Sequence, residues 1–123
     1  MARIDLEVAV SSDETTVARR FDEAAHDPDV VVGWFTSDPT VRAEVRPNGA
    51  SRWDVSIEGP GFRAGGPVRL HVVVDGVGQT LIVADVQVKP RGLLGLAGPL
   101  LGLATPRIEN EARNALWKEF GRP

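Results

Sequence analysis

Stretch after stretch of this chain alternates polar and apolar residues one by one. No other feature of the sequence narrows the fold so far. In residues 3–10, Ile4, Leu6, Val8 and Val10 fall on one side, and Arg3, Asp5 and Glu7 on the other. Residues 41–46 (VRAEVR) gather Val41, Ala43 and Val45. Residues 51–58 (SRWDVSIE) gather Trp53, Val55 and Ile57 against Arg52, Asp54, Ser56 and Glu58. Residues 68–74 (VRLHVVV) and 80–88 (TLIVADVQV) flank Asp75-Gly76, a dipeptide suited to tight hairpin turns. A period of two belongs to strands, and clean alternation belongs to an antiparallel sheet with one covered and one wet face. The cover has to come from elsewhere in the chain.

The remaining segments are candidates for that cover. Residues 11–14 (SSDE) can open a helix, with Ser11 or Ser12 as N-cap and acids in the first turn. Val17, Phe21 and Ala24/Ala25 then recur at helical spacing. At 26–29 (HDPD) Asp27 fits an N-cap, Pro28 the first helical position, and Asp29 the positive end of the dipole. A short second helix would carry Trp34 to its end, although the valines at 30–32 also permit a strand. Residues 92–106 (GLLGLAGPLLGLATP) hold six leucines and no charge. A membrane-spanning helix needs about 20 apolar residues, so this stretch reads as a buried helix, with a peripheral membrane contact as the weaker alternative. Leu93, Leu96, Leu100 and Leu103 share one helical face, continued after Pro106 by Ile108, Ala112, Ala115, Leu116 and Phe120. Glu109–Arg113 and Arg107–Glu111 make an outer face suited to solvent. Pro99 and Pro106 predict a kink, or a loose start that becomes regular after 106. Residues 59–67 (GPGFRAGGP) read as a glycine-rich loop, with Phe62 either gating a cavity mouth or anchoring the loop.

The chain of 123 residues suits one domain, 1–123, with room for a real core. It has no cysteine, so disulfide and thiolate chemistry are excluded. The opening MARIDLEVAV lacks a continuous apolar leader region, and a cytoplasmic location is expected. A formal charge of −3 offers no footprint for nucleic acid. Arginine supplies 12 of the 14 basic residues, a usage typical of a GC-rich, bacterial genome.

Catalytic chemistry needs convergent polar groups, and few are available. There are two histidines and no tyrosine. His26 falls at a helix end. His71 faces outward with Arg69 if Leu70 and Val72 face the core, and toward the cavity if the register is reversed. Asp85 interrupts an apolar strand and reads as an outward residue rather than a buried acid. No third ligand accompanies the histidines, and residues 59–67 lack the spacing of a phosphate-binding loop. No catalytic residue, metal ligand or cofactor is assigned.

Strand, two short helices, a meander of strands and a long C-terminal helix: in this order the chain resembles the helix-grip fold of the START and birch-pollen-allergen superfamily (SRPBCC), especially its polyketide cyclase/dehydrase and lipid-transport branch. Three stretches carry the likeness: IDLEVAVSSDETTVARRFDEAAHDPDVVVGW, GQTLIVADVQVKPRG, and GLLGLAGPLLGLATPRIENEARNALWKEF. The resemblance implies an α+β fold in which a curved antiparallel sheet wraps the C-terminal helix. Five strands are fewer than the six or seven usual there, so the sheet is shortened or residues 59–67 hold another strand. The resemblance implies a hydrophobic small molecule (lipid, polyketide or isoprenoid-like) between sheet and helix. Trp34, Trp53, Phe62, Leu70, Val72, Ile82, Leu93, Leu96, Leu100 and Leu103 are the residues expected to line that space. Trp53 could equally fill it, and Trp117 could serve an edge or homodimer contact. The alternatives are a cyclase or aromatase, as some relatives are, and a protein- or membrane-interaction module whose cavity is filled by side chains.

Overall fold

The structure, a computed structural model, describes residues 2–36, 39–73, 79–90 and 98–123; the side chains of Ala2, Pro90 and 98–108 lie outside the described residues. Strand β1 (Ala2–Val10) leads into helices α1 (Glu14–His26) and α2 (Asp29–Phe35). Strands β2 (Arg42–Pro47), β3 (Arg52–Gly59), β4 (Phe62–Val72) and β5 (Thr80–Pro90) follow, and helix α3 (Gly98–Phe120) comes last. The architecture is α+β, with one open antiparallel sheet of five strands in the order β1-β5-β4-β3-β2. Four strands form a meander, and the first strand lies beside the last.

The register shows why alternation was a sound guide. Pairings Leu6↔Ala84, Val68↔Ala84, Trp53↔Val68 and Pro47↔Trp53 run one apolar row across the whole sheet. The neighbouring rows are Val8–Ile82–Leu70 and Ile4–Val86, with Val45–Val55–Gly66 on the far strands. Since side chains alternate strictly along a strand, a one-residue slip would turn every one of these rows to water.

The helices cover this inner face in two parts. Helix α1 packs over β2 and β4, and α3 packs over β1 and β5. Helix α2 contacts α1, α3 and β2. Val17, Phe21 and Ala24 from α1, Val31 and Trp34 from α2, and Leu116 and Phe120 from α3 join the inner sheet residues in one buried cluster.

Three sequence expectations change. Helix α1 is capped not by Ser11 or Ser12 but by Asp13, whose Oδ1 accepts the Thr16 N–H at 2.8 Å. Ser12 instead gives its hydroxyl to Phe120 O at 2.6 Å, and the N–H groups of Ser11 and Ser12 bond Gly121 O and Phe120 O. The two serines therefore tie the end of β1 to the end of α3. Helix α2 likewise begins one residue later than expected, with Pro28 rather than Asp27 at its N-cap, although Asp27 Oδ1 accepts the Asp29 N–H at 3.3 Å.

Second, residues 59–67 are a turn and half a strand, not a loop. Gly59 pairs with Phe62 across a tight turn at Pro60-Gly61, where Gly61 has φ 80°. Further along, Gly65 and Gly66 serve close approach rather than turning. A Cβ on Gly65 would lie 2.8 Å from Val55 O, and one on Gly66 only 1.7 Å from Asp85 O. The strand hidden in 59–67 is thus the first half of β4, and the total remains five.

Third, α3 is helical from Gly98 through Pro106 to Phe120, so regular helix does not wait until after 106. Leu93 and Leu96 lie outside the described residues. So does the Asp75-Gly76 turn, although Val72↔Thr80 pairing and the Val73 N–H to Gln79 O bond bring its strands together. Among the described residues no helix is long and apolar enough to cross a membrane.

Candidate functional site

Local spacing puts the aromatic residues where the three helices meet the sheet. Val17, Phe21 and Ala24 recur every three or four positions, so one face of α1 points at the sheet. Phe21 becomes the hub. Its ring stacks on Trp53 at 5.0 Å and on Phe120 at 6.1 Å, and meets Trp34 edge-on at 5.3 Å and 87°. Trp34 also meets Phe120 edge-on at 5.2 Å. Phe21 and Phe120 were absent from the residues expected to form a site. Their spacing betrays burial, but nothing local links residues so far apart in the chain.

The three indoles differ in one respect. Trp53 Nε1 donates to Asp22 Oδ1 at 3.0 Å, and Trp117 Nε1 donates to Ala9 O at 2.9 Å. Trp34 is 8% exposed, and its Nε1 has no acceptor. Among the described residues it is the one buried side-chain nitrogen or oxygen without a partner. The Arg20 guanidinium lies 5.8 Å over the Trp34 ring but can only donate. It is spent on Glu119 and Glu23, and the Glu119 hydrogen bond chiefly raises its pKa above the usual arginine value.

Beyond this cluster the inner face is a strip of half-buried aliphatic side chains. Val55, Ala64, Val86 and Ala43 pack against the core without being sealed by it, and Ile57 is half-buried on the same side. Among the described inward positions Thr80 is the sole hydroxyl, and it donates to Ser12 O at 2.8 Å. None of them is ionisable.

Charge and polarity collect on the opposite face. Arg3 makes a two-pronged bond to Asp85 at 2.9 and 2.8 Å, which raises the Arg3 pKa further, so Asp85 is an outward residue. His71 is exposed on the same side, whereas His26 is exposed at the end of α1, in the helical layer. Two open grooves of about 270 and 480 Å³ meet there beside Pro67 and Asp85, and Ser56 and Gly65 line the larger one. Among the described residues no group of histidine and acidic side chains is arranged to hold a metal.

The residues expected to line a site are therefore distributed as follows. Trp34, Trp53, Leu70 and Ile82 are buried in the core, the last two directly opposite one another. Phe62 is half-buried at the start of β4, its ring over Gly59. Val72 departs from expectation. It is on the inward side but 61% exposed, because β3 starts at Arg52, opposite Arg69, and gives Val72 no neighbour. Leu100 and Leu103 belong to α3, but their side chains lie outside the described residues, as do Leu93 and Leu96 entirely. Trp117 is held in this chain by Ala9 O and by Arg122, whose guanidinium is 4.6 Å over its ring.

No family model and no curated protein matches the chain. A solved structure of an uncharacterised protein from Rhizobium leguminosarum is similar over 95% of each chain, at 12% identity and a TM-score of 0.43.

Proposed function

We propose that this chain is a small helix-grip domain that binds or carries a hydrophobic small molecule between its inner sheet face and its C-terminal helix. The observation that carries the proposal is the inner face itself, apolar from edge to edge and only half-buried along Val55, Ile57, Ala64 and Val86. Apolar walls with few polar groups are the usual form of small-molecule sites. Trp34, Trp53, Phe62, Leu70 and Ile82 would border the ligand on the described side, and the leucines of 93–103 on the other. A cyclase would need acid or base groups inside, whereas His71 and Asp85 face the opposite way. Native mass spectrometry of the purified protein, with displacement of a fluorescent apolar dye by a lipid and polycycle panel, tests the proposal. A co-purified or displacing apolar molecule is the expected result. No bound species and no displacement across the panel would overturn it.

A further inference from the structure

Trp34 narrows the chemistry of that ligand. An indole N–H is a donor and nothing else, and leaving a donor buried without an acceptor costs about as much as a hydrogen bond contributes. Trp34 Nε1 is in that condition, while Trp53 and Trp117 have their acceptors at 3.0 and 2.9 Å. Burial of an unpaired polar group in a native core calls for an explanation. The neighbours do not provide one. Phe21 and Phe120 offer only rings, at 5.3 and 5.2 Å between centroids, and Arg20 offers only donors. The carboxylates of Glu23 and Glu119 accept from Arg20, and neither accepts from Trp34. A water molecule needs two to four polar partners to be held in a buried position, and the side chains packed on Trp34 are the rings of Phe21 and Phe120 and an arginine already bonded elsewhere. With no acceptor among the described residues, the group would be satisfied by an oxygen that arrives attached to an apolar body, so that packing rather than further hydrogen bonds holds it in place.

We infer that Trp34 is a specificity-determining residue, and that the ligand is an apolar molecule bearing a hydrogen-bond acceptor oxygen — a ketone, ester, ether or hydroxyl — which Trp34 Nε1 recognises. This rests on the binding reading above, and one pair of probes separates the two. Acetylnaphthalene and isopropenylnaphthalene have nearly the same shape, and only the first carries an acceptor. Dye displacement from the full-length chain is expected to find the acetyl compound about tenfold tighter, the ratio one hydrogen bond of ordinary net strength supports. In Trp34→Phe the carbonyl would lose its donor and still be desolvated, so the order should level or reverse.

A second readout needs no variant. In the proton–nitrogen spectrum of the wild-type protein labelled with heavy nitrogen, one of three indole N–H signals should move strongly downfield with acetylnaphthalene and stay in place with isopropenylnaphthalene. Equal binding of both probes, or no selective indole shift, overturns this inference and leaves the binding reading standing. Failure of both probes to bind overturns the inference together with the reading it rests on.

Discussion

Replacing Gly66 by alanine tests the account of how β4 and β5 come together, and through it the shape of the inner face. The added Cβ would lie 1.7 Å from Asp85 O and 2.9 Å from Asp85 C, where real Cβ atoms essentially never come within 3.0 Å. Both obstacles are backbone, so no side chain can rotate away. The strands must separate locally by about 1.3 Å. Amide hydrogen bonds lengthened that far are broken, which threatens the adjoining Gly65↔Gln87 and Val68↔Ala84 pairings. Each lost bond costs about 0.5–1.5 kcal/mol, and overpacking adds about 1–3 kcal/mol. A loss of about 2–6 kcal/mol follows, a large share of the marginal stability of any domain this size. Gly33 provides the control, because an added Cβ there meets nothing within 4 Å and the residue is inside α2. Alanine at Gly33 should therefore stabilise, by about 0.5–1 kcal/mol. Urea unfolding followed by far-ultraviolet circular dichroism gives both midpoints. A Gly66→Ala protein with the wild-type midpoint would refute the close approach of β4 to β5. Equal losses at both glycines would refute the distinction between a crowded glycine and an open one.

Other outcomes follow from burial and capping. Leu70→Ala should cost about 2–5 kcal/mol in the same urea assay, whereas Val72→Ala, two positions along on the same side, should stay within about 0.5 kcal/mol. Comparable losses at both would mean that the inner face is covered to its open end. Asp13 accepts hydrogen bonds from Thr16 that hold its pKa below the ordinary 3.8. Its depressed pKa means that its contribution is complete above that value and fades as pH falls through the lower, folded-state value. Asp13→Ala should accordingly lower the melting temperature at neutral pH, with the difference from wild type shrinking in strong acid. A difference that persists unchanged in acid would show that the carboxylate is not what caps α1.

Much of this architecture could be read from spacing alone, and the reason is physical. A sheet with one dry face imposes an alternation that any slip would destroy, so Trp53, Val55 and Ile57, or Ile4 through Val10, announce their side of the sheet without reference to their partners. His71 and Asp85 were assigned outward by the same rule, and both face outward in the structure. What resisted reading was whatever depends on a distant partner. Ser11, Ser12 and Asp13 are equally able to cap a helix, and the choice falls to Asp13 because the C-terminal end of α3 engages both serines. Val72 obeys the alternation yet stands in water, since the pattern within β4 carries no information about where β3 begins.

Glycine illustrates the same limit more sharply. Six of the nine residues in 59–67 are glycine or proline, and composition alone argues for a break. Yet glycine has two uses, freedom of φ and absence of a side chain, and a sequence does not distinguish them. Gly61 uses the first, at φ 80°; Gly65 and Gly66 use the second, letting the backbones of β3 and β5 come within reach of β4. Trp34 poses the problem from the polar side. Its hydrophobic company predicts burial, and burial is observed, but the state of its N–H depends on which acceptors three separate helices happen to bring near. Trp53 found Asp22 across from it and Trp117 found the free edge of β1 at Ala9, whereas Trp34 found phenylalanine rings and an arginine. A binding preference written in an unsatisfied donor is therefore invisible in sequence spacing and becomes readable only once the fold has assembled the neighbours that fail to satisfy it.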